Sequence, residues 1–466
     1  MGLCVLLLLG GCGGDDAHED YGSLSAALSS ARAGDTVRVG AVRISGGTLV
    51  VPPGVTLQGA GDGATVVVAP TDSVGIYLQT ADGVADTRLT GLSVESGGTA
   101  AVLARGTGSA AVDRCTITAS LGIAVGAEGV ARFTVTDVTA TGPVTPAIAD
   151  MLPPDVSAAS TATHGLVLVN VADARLTRVW MNGFALFGAL SIASGVTWSE
   201  GGADGNLGTA LMAYGGTATL DSVQACGSLQ GQSLIPAYGA VFAAGAVVDT
   251  TGFTACDGEG YGMLQHMAAA RHSNLVATGN ENAAVWVQFS ESFSLAGSSS
   301  RIADNAFAGV VGVEATNLSL SDATISDTRL ARRLAVGSSG TVDVGDGIQL
   351  NRSTTGVTLT AVTFDQNPRC GFVADLDGGD TTGITLDGVT VSGADTALGV
   401  VVQNGMAGPG WDSGVSRSGG LATRDAAFVS AGSILEGLGE VVAPTDLPTP
   451  VGADGLESLG VVAPTD

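Results

Sequence analysis

A six-residue frame, apolar-x-x-apolar-x-apolar, recurs along this chain and limits what it can fold into. It occurs at Leu89, Leu92 and Val94, then at Val112, Cys115 and Ile117, then at Val135, Val138 and Ala140, with a step of 23 residues. It returns at Leu176, Val179 and Met181, and at Leu220, Val223 and Ala225. Later copies are Leu320, Ala323 and Ile325; Leu359, Val362 and Phe364; and Leu386, Val389 and Val391. Thr250, Phe253 and Ala255 form a weaker copy. A unit this short cannot bury its own apolar side, so successive units must stack on one another.

A second strand follows most copies, as in "GIAVGA", "HGLVLVNV", "YGAVFAA", "AGVVGVE", "DGIQLN" and "CGFVAD". The link between the two is short and polar. In it Asn305 precedes Gly309 by four residues, and Asn367 likewise precedes Gly371, while Asn280 and Ala284 fit the same spacing. Asn tolerates left-handed backbone and suits a tight corner there. The apolar residues are mostly Val and Ala, with Thr and Ser between them, a mixture that favours thin, regular strands. Aromatic residues make up only 4% of the chain, so a bulky core is not expected.

The opening "SLSAALSSARAGDTVRVG" and the following "VPPGVTLQGAGDGATVV" carry a nameable resemblance. With the repeats, they resemble the right-handed parallel β-helix of the pectin-lyase-like superfamily over residues 23–400. The resemblance implies an all-β solenoid, and it implies a short helix over Leu24–Ala31 that plugs the open end. Without a plug, strand edges and core would face water. A leucine-rich repeat is the competing architecture, because Leu359, Val362, Phe364 and Asn367 fit its spacing. It would require a helix or tight turn in each unit. Three long insertions, Thr141–Thr163, Gly227–Ala237 and Thr328–Gly345, fall at the same turn of the repeat. Insertions on one side of a solenoid tend to mark the binding face. The superfamily contains lyases, hydrolases, epimerases and adhesins, so the resemblance implies a fold more sharply than an activity.

The N-terminus, "MGLCVLLLLGGCGGDD", holds an apolar run too short to span a bilayer. Leu9-Gly10-Gly11-Cys12 resembles a bacterial lipobox, although no basic residue precedes the run. The resemblance implies cleavage before Cys12, its acylation, and an outer-membrane lipoprotein facing the periplasm or cell surface of a Gram-negative bacterium. Residues 1–11 are then a signal peptide, 12–22 a tether, 23–405 the solenoid, and 406–466 end coils with a loosely held acidic tail. Net charge is −26 and every basic residue is Arg. A strongly anionic surface excludes nucleic acid as a partner and opposes acidic polymers unless a cation bridges them.

Candidate site residues are few. His266 lies in "YGMLQHM", which faintly resembles a Tyr-Gly-x-x-x-His element of alginate epimerases but lacks that family's acidic residue. Arg332 and Arg333 sit in an insertion and could serve a lyase, where the family uses Arg as a base. Asp375, Asp377 and Asp380 in "DLDGGD" have the carboxylate density for Ca2+. Residue 386 is Leu, so this is not an EF-hand loop. Trp198, in a glycine-rich return, is the tryptophan expected to be exposed and to stack on a sugar, whereas Trp180 is expected in the core. Cys226 and Cys256 each follow a copy of the frame by one residue, and neighbouring coils would bring them within disulfide reach. The sequence thus points to an exported, lipid-anchored β-helix acting as a rigid binding or structural module, with polysaccharide as partner. The alternative is a polysaccharide lyase or hydrolase acting through the inserted loops.

Overall fold

The computed structural model describes residues 17–418, apart from 62, 146–162, 231–236, 335–340, 352–353, 376–383, 393–397 and 404–414. They form a parallel β-solenoid of about 14 turns. The frame residues stack in register from coil to coil: Leu89 on Val112, Val112 on Val135, Val135 on Leu176, Leu176 on Trp198, and Trp198 on Leu220. Each lies inside the solenoid, where the small and β-branched side chains fill a narrow interior.

The frame is a corner and not a straight strand. Its third residue has left-handed backbone in Gly91, Arg114, Asp137, Arg178, Glu200 and Ser222, with φ between 50° and 66°. In the middle coils the two arms still join into one long strand, as in Ser109–Ala119 and Asp173–Asn182. In later coils they separate, as in Ala269–Ser273 and Val276–Thr278. These arms form the first sheet. The second sheet holds the follow-on strands, from Leu49–Val51 through Phe187–Ile192 to Leu398–Gln403.

All three insertions leave the first sheet and enter the second at the same corner. That corner is tied by an inward row of amides. Asn206, Asn280, Asn305 and Asn367 are all buried. Asn280 Nδ2 donates to Asn305 Oδ1 at 2.8 Å, and Asn305 Nδ2 donates to the Ala277 carbonyl at 2.8 Å. Asn367 Nδ2 reaches the Ile325 carbonyl at 3.0 Å. The left-handed residue is the one before each asparagine: Gly205, Gly279, Asp304 and Gln366. The asparagines therefore serve through their side chains, satisfying carbonyls that the turn removes from the ladders.

At the N-terminal end the helix spans Tyr21–Ser30. It begins earlier than the apolar pattern suggests because Asp20 caps it, accepting from the Ser23 N–H at 2.9 Å. Leu24 and Leu28, one turn apart, enter the main core and close the end of the coil. Among the described residues this is the only helix, which excludes a helix in each unit. At the other end Val415–Ser418 pairs with Ile384–Asp387, so stacking continues past residue 405.

Candidate functional site

Alternate residues of the second-sheet strands fall into two separate apolar clusters. One is the interior. The other lies on the outer face and includes Val167, Leu190, Met212, Val241, Leu264, Trp286 and Val311, which stack in register. This face is covered: Leu264 is 0% exposed and Trp286 1%. Part of the cover is the third insertion, whose Ala331–Leu334 strand pairs antiparallel with Thr341–Val344 and brings Ala331 and Val344 into the cluster. Buried polar atoms without partners among the described residues lie on the same face, including His164 Nδ1, Tyr238 Oη and Trp286 Nε1.

Where the second sheet ends, the chain turns back through a left-handed residue in each coil. The column reads Asn170, Ala193, Gly215, Ala244, Met267, Phe289 and Glu314, with φ between 47° and 67°. The ladder continues through it, since Met267 N–H donates to the Gln288 carbonyl and Phe289 N–H to the Val313 carbonyl, both at 3.1 Å. Left-handed backbone suits Gly and Asn and costs other residues about 1–2 kcal/mol. Met267 and Phe289 depart most from that preference, and both are exposed, at 51% and 40%. Beside them His266 meets the Phe289 ring edge-on at 5.5 Å between centroids. His266 Nδ1 and Gln288 Oε1 are shielded and have no partner among the described residues. Val247, just past the corner of the preceding coil, is exposed as well. This rim is an apolar ridge backed by His266 and Gln288, each with one shielded atom that lacks a partner among the described residues.

The expected site residues do not converge. His266 lies at the rim, with burial holding its imidazole below the usual value and no carboxylate bonded to it. Arg332 is exposed in the hairpin and pairs with Asp343 at 3.3 Å. Arg333 pairs through its backbone with Val342, and its side chain lies outside the described residues. Asp375 ends the strand Cys370–Asp375. Its side chain, together with Asp377 and Asp380, lies outside the described residues, as do Cys12 and Trp411. Among the described residues no group of three or more His, Cys, Asp or Glu is placed to hold a metal ion. Cys226 and Cys256 are register partners, joined as a disulfide with Cα atoms 4.4 Å apart.

The two tryptophans are exchanged relative to expectation. Trp198 occupies the inward first position of a frame, between Leu176 and Leu220, and is 2% exposed. That copy is hard to see in the sequence because Gly201 stands where the second apolar residue belongs. A Cβ on Gly201 would lie 2.5 Å from Trp198 Nε1, so the glycine makes room for the indole. Trp180 is the half-buried one, on the outer face of the first sheet's second arm.

One further ion pair was not legible. Asp346 is fully buried on the covered face, bonded to the Arg369 guanidinium. Burial pushes its carboxyl upward, with Arg369 opposing. Neighbouring Cys370 is buried and unoxidised.

No protein family and no curated protein matches the chain in sequence. Among solved structures it is similar to the A-module of a mannuronan C-5 epimerase from Azotobacter vinelandii, at 15% identity and a TM-score of 0.31, covering 90% of this chain and 97% of that one. It is similar to tailspike protein 3 of bacteriophage CBA120, at 10% identity and a TM-score of 0.42, covering 91% of this chain and 60% of the tailspike. An alginate lyase solved with a bound ligand gives 10% identity and a TM-score of 0.33, with 86% of each chain covered. The chain's own strand registers establish the fold that its opening motif implied: a parallel β-solenoid of the β-helix type.

Proposed function

We propose that this protein is an exported, lipid-anchored solenoid that serves as a rigid binding module for glycans, docking them at the rim formed by Met267, Phe289, His266 and Gln288. The supporting observation is that two large apolar side chains stand exposed on strained backbone in adjacent coils. Strain of this kind persists where the surrounding structure enforces it, and it gathers at functional positions. A sugar presents an apolar C–H face to such a ridge. Stacked coils fix the spacing of these groups without a hinge. Cys12 supplies the anchor in this reading. Among the described residues no helix is long and apolar enough to cross a membrane.

The alternative is a polysaccharide lyase or glycoside hydrolase acting through the inserted loops, with Arg332, Arg333 and His266 as its candidates. Purified full-length protein incubated with a polysaccharide panel separates the two readings. Retention of a polysaccharide with no new reducing or unsaturated ends supports the binding module. Catalytic release of either kind of end overturns it in favour of the enzyme.

A further inference from the structure

The outer face of the first sheet's second arm carries a two-row grid unlike the rim. One row runs Thr116, Thr139, Trp180, Gly202 and Gln224 in register, and the other runs Thr118, Thr141, Asn182, Asp204 and Cys226. Rows of this kind repeat at the ladder spacing of ~4.8 Å. Thr118, Thr139, Thr141, Asp204 and Gln224 are exposed, while Trp180 and Asn182 are half-buried.

Three features set this grid apart. A tryptophan interrupts a row that otherwise holds small or polar side chains, and the inward core does not use it. A Cβ on its register neighbour Gly202 would meet the Gln224 carbonyl oxygen at 2.5 Å, so only glycine fits between the indole and Gln224. The Asn182 Oδ1 beside it is shielded and has no partner among the described residues.

Charge is held off the grid. Arg178, two residues before Trp180, is turned to Asp137, with Nε–Oδ1 2.5 Å and Nη2–Oδ2 3.0 Å, and lies 3.8 Å from Glu200. Asp204 is the one charged side chain among the ten positions. In a chain of net charge −26, a patch of hydroxyls and amides around an aromatic ring is the kind of surface an uncharged polyhydroxylated ligand can approach without repulsion.

We infer that this grid is a second carbohydrate-binding site, selective for neutral glycans, in which Trp180 stacks on a sugar ring while Asn182 and the threonine rows bond its hydroxyls. It shares with the rim only the premise that the ligand is a glycan. The test uses full-length protein, with xylan, mannan and a soluble β-glucan as neutral probes and alginate and polygalacturonate as acidic ones. Trp180→Ala is expected to weaken binding of at least one neutral probe by ten-fold or more, and Asn182→Ala by several-fold. Trp180→Phe should retain part of the affinity, and a retained β-type circular dichroism spectrum checks that all three variants are folded. Neutral-probe binding that Trp180→Ala leaves intact, or retention of acidic probes alone, overturns the grid while the glycan reading stands. Failure of every probe to bind the wild-type protein overturns both.

Discussion

Cys226 and Cys256 occupy the same outward position in successive coils, and their disulfide ties the solenoid together where the second insertion departs. The bond spans 30 residues of sequence. Closing a loop of that size restricts the unfolded chain by about 3–4 kcal/mol.

The non-reduced digest of the purified protein is therefore expected to contain a Cys226–Cys256 cross-linked peptide. Replacing both cysteines with serine should lower stability by roughly that 3–4 kcal/mol. Equal denaturation midpoints for the wild type and the double variant would count against a stabilising role for the bond.

Gly201 is predicted to be intolerant of any side chain for reasons of space alone. A Cβ there would lie 2.2 Å from the Val179 carbonyl oxygen and 2.5 Å from Trp198 Nε1. Gly201→Val should cost about 1–3 kcal/mol or more and shift tryptophan emission to the red as Trp198 is displaced. Unchanged emission and stability would place Trp198 elsewhere.

Two buried histidines set an acid limit on stability. Burial alone lowers the pKa of His272 to about 3 and that of His164 to about 4. His272 is held at 2.8 Å from the Thr250 hydroxyl and stacks against Phe242. In the unfolded chain both titrate near 6.5, so below that pH the unfolded state takes up protons that the folded state refuses. Their contribution is complete above pH ~6.5 and falls by about 1.4 kcal/mol per unit and per histidine until the folded values are reached. Asp346 works in the opposite sense, because its raised pKa lets the folded state take a proton first. Urea midpoints measured between pH 7.5 and 5 should fall, and His272→Leu should make that fall shallower. An identical slope in the variant would contradict a neutral, buried His272.

The anchor and the acidic segment have simple tests. Cys12→Ser should move the protein into soluble fractions and abolish labelling by a palmitate analogue, whereas unchanged fractionation would refute acylation. Asp375, Asp377 and Asp380 changed together to Asn should lower the melting temperature only when calcium is present. Identical curves with calcium and with chelator would contradict calcium binding by these carboxylates.

Much of this architecture is legible in the frame residues, since Leu89, Val112 and Val135 share an inward column that only stacking can satisfy. The bend inside the frame is not legible. Arg114, Asp137, Arg178 and Glu200 adopt left-handed backbone with no glycine to signal it, because the neighbouring coils impose the conformation. The asparagine corners show the same limit. Asn305 and Asn367 mark the right place, yet the left-handed residue is the one before each. Trp198 was hidden because a single glycine, Gly201, breaks its copy of the pattern. Met267 and Phe289 give no signal at all in the sequence, because a large apolar residue at a left-handed corner reads like any strand residue.

The rim offers the most direct test of the glycan-binding account. Asn is at home in the left-handed column, as Asn170 shows four coils before Met267. Replacing Met267 and Phe289 together with Asn removes the apolar ridge and relieves its backbone strain. On a glycan array the wild-type protein should bind, and the double variant should lose ten-fold or more in affinity while melting at the same or a higher temperature. Full binding by that variant, or a wild-type protein that binds no glycan on the array, would contradict the account.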